Sequence, residues 1–164
     1  MTIEPDMRPH PNENPAPAKS VLFVCTGNIC RSPTAEAVLR AHAAKAGLDL
    51  RVESRGTQGY HAGEPPDPRA RRHAGLRGYA MDGMRARRIA DADFAEFDLI
   101  LACDRGHRAA LLERAPAGAR AKIRMFRADG GDIPDPYYHG PEAFEAVLDA
   151  VEAECARLLA ELAD

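Results

Sequence analysis

Cys25 and Arg31, separated by five residues, are the two residues of this chain whose types and spacing best suit phosphate chemistry. The guanidinium of an arginine presents a planar fork of donors that matches two oxygens of a phosphate group. The thiolate of a cysteine is a strong nucleophile, and a helix N-terminus or a nearby cation favours that form of the side chain. The pair therefore predicts an anion-binding loop that carries its own nucleophile, with phosphoryl transfer through a phosphocysteine as its chemistry.

The loop lies between a strand pattern and a helix start. Val21 to Cys25 are apolar residues of the kind found in a buried central strand. Ser32 is a residue type that caps helices, and Pro33 suits the first helical position. We therefore expect the segment from Thr26 to Arg31 to lie at a helix N-terminus, where its backbone N–H groups can converge on an oxyanion. Gly27 permits backbone conformations that a Cβ would forbid.

Three other interpretations of this segment are weaker. A lone cysteine at a strand end is often only a core residue, but a core residue would not need the glycine, arginine and proline that follow it here. Cys25 and Cys30 have no second pair of ligands at zinc spacing, and a structural zinc site needs four ligands. The nucleotide-binding pattern GxxxxGK(S/T) does not occur in the chain. We therefore expect neither a metal ion nor another cofactor.

Asp135 is the candidate proton donor for a leaving group such as a phenolate. It lies between Pro134 and Pro136, which stiffen the loop and would hold a carboxyl group over the site at little entropic cost. Such a residue could protonate the leaving oxygen and later, as a carboxylate, activate a water molecule. The residues alone leave a second interpretation open, because an aspartate before a proline is also a common turn signal.

Three tyrosines could form the walls of an aryl-sized slot. Tyr137 and Tyr138 follow Asp135 directly, and Tyr60 lies in a separate turn-rich segment. Their ring faces would pack against a phenyl group, although core packing is the alternative for each of them. We favour the slot for Tyr60 and Tyr137, because both lie in turn-rich loops rather than on apolar stripes.

The rest of the chain alternates between strand and helix patterns, which predicts an α/β domain with a parallel sheet covered by helices on both faces. Beyond the first strand, the sequence predicts strands and helices at these positions: a helix at 33–46, a strand at 50–54, a helix at 67–78, a strand at 98–103, a helix through 109–112, a strand at 122–126 and a C-terminal helix. The last helix carries an apolar stripe of helical period, formed by Phe144, Val147, Leu148, Val151, Cys155, Leu158, Leu159 and Leu162. Ligands of such sheets bind beyond the carboxyl ends of the strands, where the first strand delivers its loop.

Length and composition predict a single domain. The chain has 164 residues, of which we assign 20–164 to the domain. Residues 1–19 contain five prolines and almost no apolar periodicity, and we expect them to form a disordered tail. The net charge of −3 argues against a nucleic-acid surface. No segment has the pattern of a signal peptide or a membrane span, so we expect no membrane association and a cytoplasmic protein with reduced cysteines.

The segment VCTGNICRSP, from Val24 to Pro33, resembles the signature of the low-molecular-weight protein tyrosine phosphatases, which are small CX5R enzymes. The resemblance extends from about Ser20 to the C-terminus. It includes further segments in the order of the family: Ser54-Arg55-Gly56-Thr57, Pro68-Arg69-Ala70, Ala86-Arg87-Arg88-Ile89, Phe97-Asp98-Leu99-Ile100-Leu101 and Asp135-Pro136-Tyr137-Tyr138. The CX5R pattern alone is moderately specific, whereas the loop together with a downstream DPYY is highly specific.

The resemblance implies a single three-layer domain with four parallel strands in the order 2-1-3-4, and hydrolysis of phosphotyrosine in proteins and of aryl phosphates. It implies that Cys25 is the nucleophile, Arg31 a phosphate ligand and Asp135 the general acid and base, with phosphate or another oxyanion as an inhibitor. The implied substrate-binding residues are Thr26, Gly27, Asn28, Ile29, Cys30, Ser32, Tyr60, Tyr137 and Tyr138. Asn28 and Ser32, together with Ser54, match family positions whose side chains hydrogen-bond within the loop.

Two positions depart from the family pattern. Arg77 stands before Gly78, where the family commonly has a histidine, and Tyr60 replaces a frequent tryptophan. His73 lies one helical turn before Arg77, and nothing in the sequence indicates that it substitutes. The bracing of the loop and the substrate preference therefore depend on what these residues contact.

Three competing functions share parts of this pattern. A thiol redox enzyme of the arsenate-reductase type has this fold and the CX5R loop but needs resolving cysteines, and Cys103 and Cys155 lie in a strand and on an apolar stripe. A phosphate-binding module without turnover would not require both Cys25 and Asp135. A phosphoarginine phosphatase is the third, against which Ile29 argues mildly, because related arginine phosphatases tend to have a smaller, polar threonine there.

Overall fold

The computed structural model describes residues 19–163, which form four strands, five α-helices and a 3₁₀ helix. In chain order these are β1 (Ser20–Cys25), α1 (Arg31–Lys45), β2 (Arg51–Gly56), α2 (Pro68–Leu76), α3 (Asp91–Glu96), β3 (Leu99–Ala102), α4 (Arg105–Arg114), the 3₁₀ helix (Ala117–Lys122), β4 (Ile123–Met125) and α5 (Pro141–Ala163). The predicted tail lies outside the described residues, except for Lys19. No helix within residues 19–163 is long and apolar enough to cross a membrane.

The four strands form one parallel sheet in the order β2-β1-β3-β4, which confirms the expected fold class and strand order. β1 lies at the centre, with Phe23 in register with Ser54 of β2 on one side and Leu101 of β3 on the other. All six residues of β1 are buried, because helices cover both faces of the sheet.

Alternate residues of β1 point into two separate apolar cores. Val21 and Phe23 pack in a cluster with residues of α1 and α5, whereas Leu22 and Val24 pack with residues of α3, α4 and the 3₁₀ helix. The predicted stripe of α5 supplies Val147, Leu148, Val151, Cys155 and Leu158 to the first cluster, whereas Phe144 packs with Cys30 and Ala70. The period of two in the strand and the helical period in α5 thus build a three-layer domain.

Local sequence signals explain where α2 begins, but the predicted cap of α1 is wrong. Asp67 caps α2 as expected and accepts a hydrogen bond from the Arg69 N–H at 2.8 Å, with Pro68 in the first turn. The prediction that Ser32 caps α1 is wrong, because the helix already begins at Arg31 and the cap position is Cys30. The Ser32 hydroxyl hydrogen-bonds other side chains behind the loop instead. The predicted elements did not include α3 or the 3₁₀ helix, each of which has only six residues.

The carboxyl ends of β1 and β3 bring several loops together at one edge of the sheet. The Cys103 N–H donates to Val24 O at 3.0 Å, and the Ile133 N–H donates to Cys103 O at 2.7 Å. On the other side of β1, the Thr57 N–H donates to Cys25 O at 2.8 Å. The loops that follow β1, β2, β3 and β4 are therefore held at fixed positions around Cys25.

Candidate active site

The conformation of the loop after β1 depends on one residue in the left-handed region and on two glycines. Asn28 has a φ of 59°, in the left-handed region that asparagine tolerates better than most residues. A Cβ on Gly27 would lie 2.8 Å from Cδ2 of His61. A Cβ on Gly56, at the end of β2, would lie 2.7 Å from the carbonyl oxygen of Thr26. Glycine at both positions lets neighbouring segments approach the loop closely.

A buried hydrogen-bond network braces the loop from behind. The Asn28 side-chain amide donates to Ser32 Oγ at 2.8 Å and to Ser54 Oγ at 2.9 Å, and its oxygen accepts from the Arg87 N–H at 2.9 Å. Ser54 Oγ in turn donates to Glu36 Oε1 at 2.7 Å. Asn28, Ser32 and Ser54 therefore make the contacts that the resemblance implied, and Glu36 extends the network beyond the residues that sequence analysis had identified.

The Ser32 hydroxyl connects this network to the nucleophile candidate. Ser32 Oγ lies 2.9 Å from Cys25 Sγ and 3.4 Å from the Arg55 carbonyl oxygen. Because Oγ accepts from the Asn28 amide, its single O–H is free to donate, and a thiolate at the shorter distance is the stronger acceptor. The network can thus deliver one hydrogen bond to an ionised Cys25.

Arg31 lies in the first turn of α1 with its guanidinium held by the protein. Its Nη1 donates to Asp104 Oδ2 and to the Ile133 carbonyl oxygen, both at 2.9 Å. Its Nη2 lies 3.8 Å from Asp135 Oδ2 and 3.5 Å from His107 Nε2. Nη1 already donates hydrogen bonds to Asp104 and Ile133. The N–H groups of Nε and Nη2 can therefore donate to two oxygens of a tetrahedral anion.

Asp104 and His107, which the sequence analysis missed, hold the far side of the loop. Both follow β3, and Asp104 caps α4 by accepting from the His107 N–H at 2.8 Å. His107 is 4% exposed, and its Nε2 lies 2.7 Å from Thr26 Oγ1. Burial lowers the pKa of His107 to about 4, against the opposing charge of Asp104. The sequence signal that could have identified Asp104 and His107 is their position just beyond the carboxyl end of β3, the strand adjacent to β1.

A cavity of about 260 Å³ opens over Cys25 and brings most of the predicted site residues together. Its lining consists of Cys25, Thr26, Gly27, Ile29, Cys30, Arg31, Tyr60, His61, Asp135, Tyr137 and Tyr138. Asn28 and Ser32 do not line it, because their side chains lie behind the loop. A larger groove of about 490 Å³ borders α2, but neither a cysteine nor any residue of the predicted site is among its lining residues, so the smaller cavity is the candidate site.

The walls of the cavity are aromatic and largely open to solvent. The side chains of Tyr60 and Tyr138 are 77% and 87% exposed, which excludes core packing for both. The Tyr137 ring lies 4.8 Å from the Tyr138 ring in an edge contact, and the Tyr137 carbonyl accepts from Arg69 Nη2 at 3.0 Å. His61 adds a ring that the sequence analysis missed, and its Nδ1 lies 2.5 Å from Glu64 Oε2.

Asp135 lies at the mouth of the cavity, with its side chain 54% exposed. Its Oδ1 accepts a hydrogen bond from the Tyr137 N–H at 3.1 Å, a local turn contact that orients the carboxyl group. Its Oδ2 is the oxygen that faces Arg31. The turn interpretation and the proton-donor interpretation are therefore compatible at this position.

The other three cysteines are buried thiols. Burial, followed by the charge of Asp67, raises the pKa of Cys30 to about 12. Burial also raises the pKa of Cys103 and Cys155. All four cysteines of the chain are free. No group of three or more His, Cys, Asp or Glu side chains within residues 19–163 could hold a metal ion.

Arg77, at the position where the family commonly has a histidine, makes its contacts away from the loop. It pairs with Glu145 at 3.3 Å, with Asp149 at 2.9 Å and with Glu152, all on α5. His73 also faces α5, with its Nδ1 2.9 Å from Glu145 Oε2. These contacts join the end of α2 to α5. They do not brace the phosphate loop, which is the segment from Thr26 to Arg31.

Comparison with known proteins agrees with this geometry. A family model described as low molecular weight phosphotyrosine protein phosphatase matches residues 20–164. A low molecular weight protein-tyrosine-phosphatase of Streptomyces coelicolor is 47% identical over 150 residues, covering 85% of this chain and 91% of the relative. The human low molecular weight phosphotyrosine protein phosphatase is 39% identical over 137 residues, covering 79% and 86%.

Solved structures with a similar fold belong to proteins of the same kind. A protein tyrosine phosphatase from Entamoeba histolytica with Hepes in the active site superposes with a TM-score of 0.83 at 37% identity, covering 87% of this chain and 96% of that chain. Wzb of Vibrio vulnificus in complex with benzylphosphonate gives a TM-score of 0.81 at 31% identity, covering 88% and 99%.

Proposed function

Since the chain belongs to the low molecular weight phosphotyrosine protein phosphatase family and is a protein-tyrosine phosphatase, we propose that it acts through a phosphocysteine on Cys25, with Asp135 as general acid and base. The observation that supports this most strongly is that Cys25, Arg31 and Asp135 line one cavity at the start of α1. The proposal divides the reaction into two displacements at phosphorus, each with a defined role for these three residues.

In the first displacement, the Cys25 thiolate attacks phosphorus, so that an S–P bond forms while the bond from phosphorus to the tyrosine oxygen breaks. The proton of Asp135 passes to that oxygen, and tyrosine leaves as a neutral phenol. The loop N–H groups and the Arg31 guanidinium stabilise the negative charge on the phosphoryl oxygens. Ser32 and Asn28 fix the position of the sulfur before the attack.

In the second displacement, a water molecule attacks phosphorus and the Asp135 carboxylate accepts its proton. The S–P bond breaks, which regenerates the thiolate and releases inorganic phosphate. The product is itself an oxyanion that fits the loop, so we expect phosphate, and analogues of the same shape, to inhibit competitively.

The walls of the cavity support an aryl substrate over a guanidine-based one. Ile29 and Tyr137 pack against the cluster of Cys30, Ala70 and Phe144 and thereby present an apolar surface beside the loop. A phenyl ring gains free energy against such a surface, whereas the apolar side chain of Ile29 offers a guanidinium no hydrogen-bond acceptor. We therefore assign phosphotyrosine in proteins as the substrate class, rather than phosphoarginine.

The burial of Cys103 and Cys155 argues against redox turnover of the arsenate-reductase type. Such a reaction needs a resolving thiol that can reach Cys25, and Cys103 and Cys155 are each about 1% exposed or less. Four free cysteines are what a reducing compartment maintains, which supports the cytoplasm as the location.

The test is a comparison of substrates without any reductant. Phosphotyrosyl, phosphoseryl and phosphoarginyl peptides of one sequence are incubated with the enzyme, and released phosphate is measured. We expect hydrolysis of the phosphotyrosyl peptide alone, its loss in Cys25→Ser, and its retention in the matched control Cys155→Ala. Turnover that requires a thiol reductant, or a preference for phosphoarginine, would contradict the proposal.

A further inference from the structure

The buried side chain of His107 lies outside the family's signature segment and contacts two residues of the phosphate loop. Its Nε2 lies 2.7 Å from Thr26 Oγ1 and 3.5 Å from Arg31 Nη2, one on each end of the loop. Its Nδ1 lies 3.2 Å from Asp104 Oδ1, and Asp104 also binds Arg31. The ring therefore occupies the position from which both ends of the loop can be fixed.

The protons in this cluster can be assigned from its chemistry. An arginine can only donate, so the nitrogen of His107 that faces Arg31 must present a lone pair. The Thr26 hydroxyl then donates to the same Nε2, and the ring carries its proton on Nδ1, towards Asp104. In this arrangement the ring is neutral, and no second cation stands beside Arg31.

Packing alone does not explain the orientation of the His107 ring. His107 Nδ1 is the one buried side-chain nitrogen or oxygen within residues 19–163 that makes no hydrogen bond of good geometry. An unsatisfied buried donor destabilises a fold. An apolar residue could fill the same space without an unsatisfied donor. The His107 ring, by contrast, provides the Nε2 contact with the Thr26 hydroxyl.

We propose that His107 is a positioning residue for the reaction: its Nε2 holds the Thr26 hydroxyl and sets the Arg31 guanidinium beside the phosphate. Thr26 is the residue after Cys25, and its backbone N–H belongs to the anion-binding loop. Fixing its side chain fixes the direction of that N–H before substrate arrives, which lowers the reorganisation needed in the transition state. The proposal deepens the proposed function, on which it rests.

A set of matched variants separates this role from packing. The terminal amide of a glutamine reaches the place of Nε2, whereas that of an asparagine reaches only the place of Nδ1. His107→Gln should therefore keep an acceptor for Thr26, while His107→Asn and His107→Ala should lose it. His42→Gln is the control, because His42 bonds Tyr79 on α1's outer side, away from the loop.

The readouts are kcat and KM for p-nitrophenyl phosphate and the Kd of inorganic phosphate, measured by calorimetry on the same variants in a Cys25→Ser background. We expect His107→Asn and His107→Ala to lose about tenfold in kcat, the effect of one hydrogen bond, with a smaller change in KM and weaker phosphate binding. His107→Gln should stay within about threefold of wild type. In a Thr26→Val background, which removes the hydroxyl, His107→Ala should cause little further loss.

Each outcome decides the question. Equal kcat and phosphate Kd in all His107 variants and wild type would overturn the proposal, as would a loss in His107→Gln as large as in His107→Ala. Independent, additive effects of Thr26→Val and His107→Ala would show that the ring does not act through the hydroxyl. If His107→Ala does not fold, the Gln and Asn pair with Thr26→Val still decides. Phosphate affinity keeps the test separate from the proposed function, because it needs no turnover.

Discussion

Replacement of Asn28 tests the bracing of the phosphate loop with a magnitude that follows from the structure. Its buried side chain makes three hydrogen bonds, to Ser32, Ser54 and the Arg87 N–H. With each worth about 0.5–1.5 kcal/mol net, Asn28→Ala should lower the free energy of unfolding by roughly 3 kcal/mol. The left-handed backbone costs alanine about 1 kcal/mol more.

Asn28→Gly is the matched variant, because it loses the same hydrogen bonds but accepts a φ of 59° without strain. We expect the glycine variant to be more stable than the alanine variant by about 1 kcal/mol, the reverse of the usual order of these residues. For a chain of this size, 1 kcal/mol corresponds to roughly 2–4 °C in Tm. Both variants should lose about 10² in kcat/KM, because the loop N–H groups lose their fixed directions.

Urea unfolding measures the stability difference, and p-nitrophenyl phosphate hydrolysis measures the activity. A glycine variant no more stable than the alanine variant would refute the left-handed strain. Wild-type kcat/KM in both would refute the bracing role of the side chain, whatever the change in stability.

Three further predictions concern the cavity and its surroundings. Asp135→Ala should lower kcat by about 10²–10⁴ for weakly acidic phenols and much less for acidic ones, and an equal fall across leaving groups would exclude Asp135 as the acid. Limited peroxide should join Cys25 to Cys30 and inactivate the enzyme reversibly, and equal recovery with dithiothreitol in Cys30→Ala, with no linked peptide by mass spectrometry, would exclude that protection. Because burial lowers the pKa of His107 to about 4 from an ordinary value of 6.5, the unfolded chain binds a proton between these values that the folded chain does not. Stability should therefore fall as the pH drops through that window, by at most about 3 kcal/mol, and urea titrations of His107→Gln should show a shallower fall than wild type.

The sequence was most informative where one local signal had one structural solution. The apolar run of β1 predicted a buried strand, and the loop that follows it could lie only at the start of a helix. Asp67 and Pro68 located the start of α2 in the same way. The strand order 2-1-3-4 came from the family resemblance, because periodicity does not say which strands are neighbours.

The parts that sequence analysis missed depend on contacts between distant segments. Asp104 and His107 are 73 and 76 residues from Arg31, and only the pairing of β1 with β3 brings them to the loop. Ser32 was predicted to cap α1 because its residue type suits that role. Its hydroxyl instead hydrogen-bonds the side chains of Cys25 and Asn28. The contacts of Arg77 on α5 could not be read from its place before a glycine.

In the proposed mechanism, Cys25 carries the phosphoryl group between the two displacements. The most direct measurement is a rapid quench of Asp135→Ala in neutral to alkaline denaturant during hydrolysis of an acidic aryl phosphate, followed by peptide mapping with mass spectrometry. Without the proposed general base, the variant should accumulate the intermediate, and we expect one phosphoryl group on the peptide that contains Cys25 and none in Cys25→Ser. A phosphoryl group on another residue, or turnover by Cys25→Ser at a rate close to wild type, would contradict it.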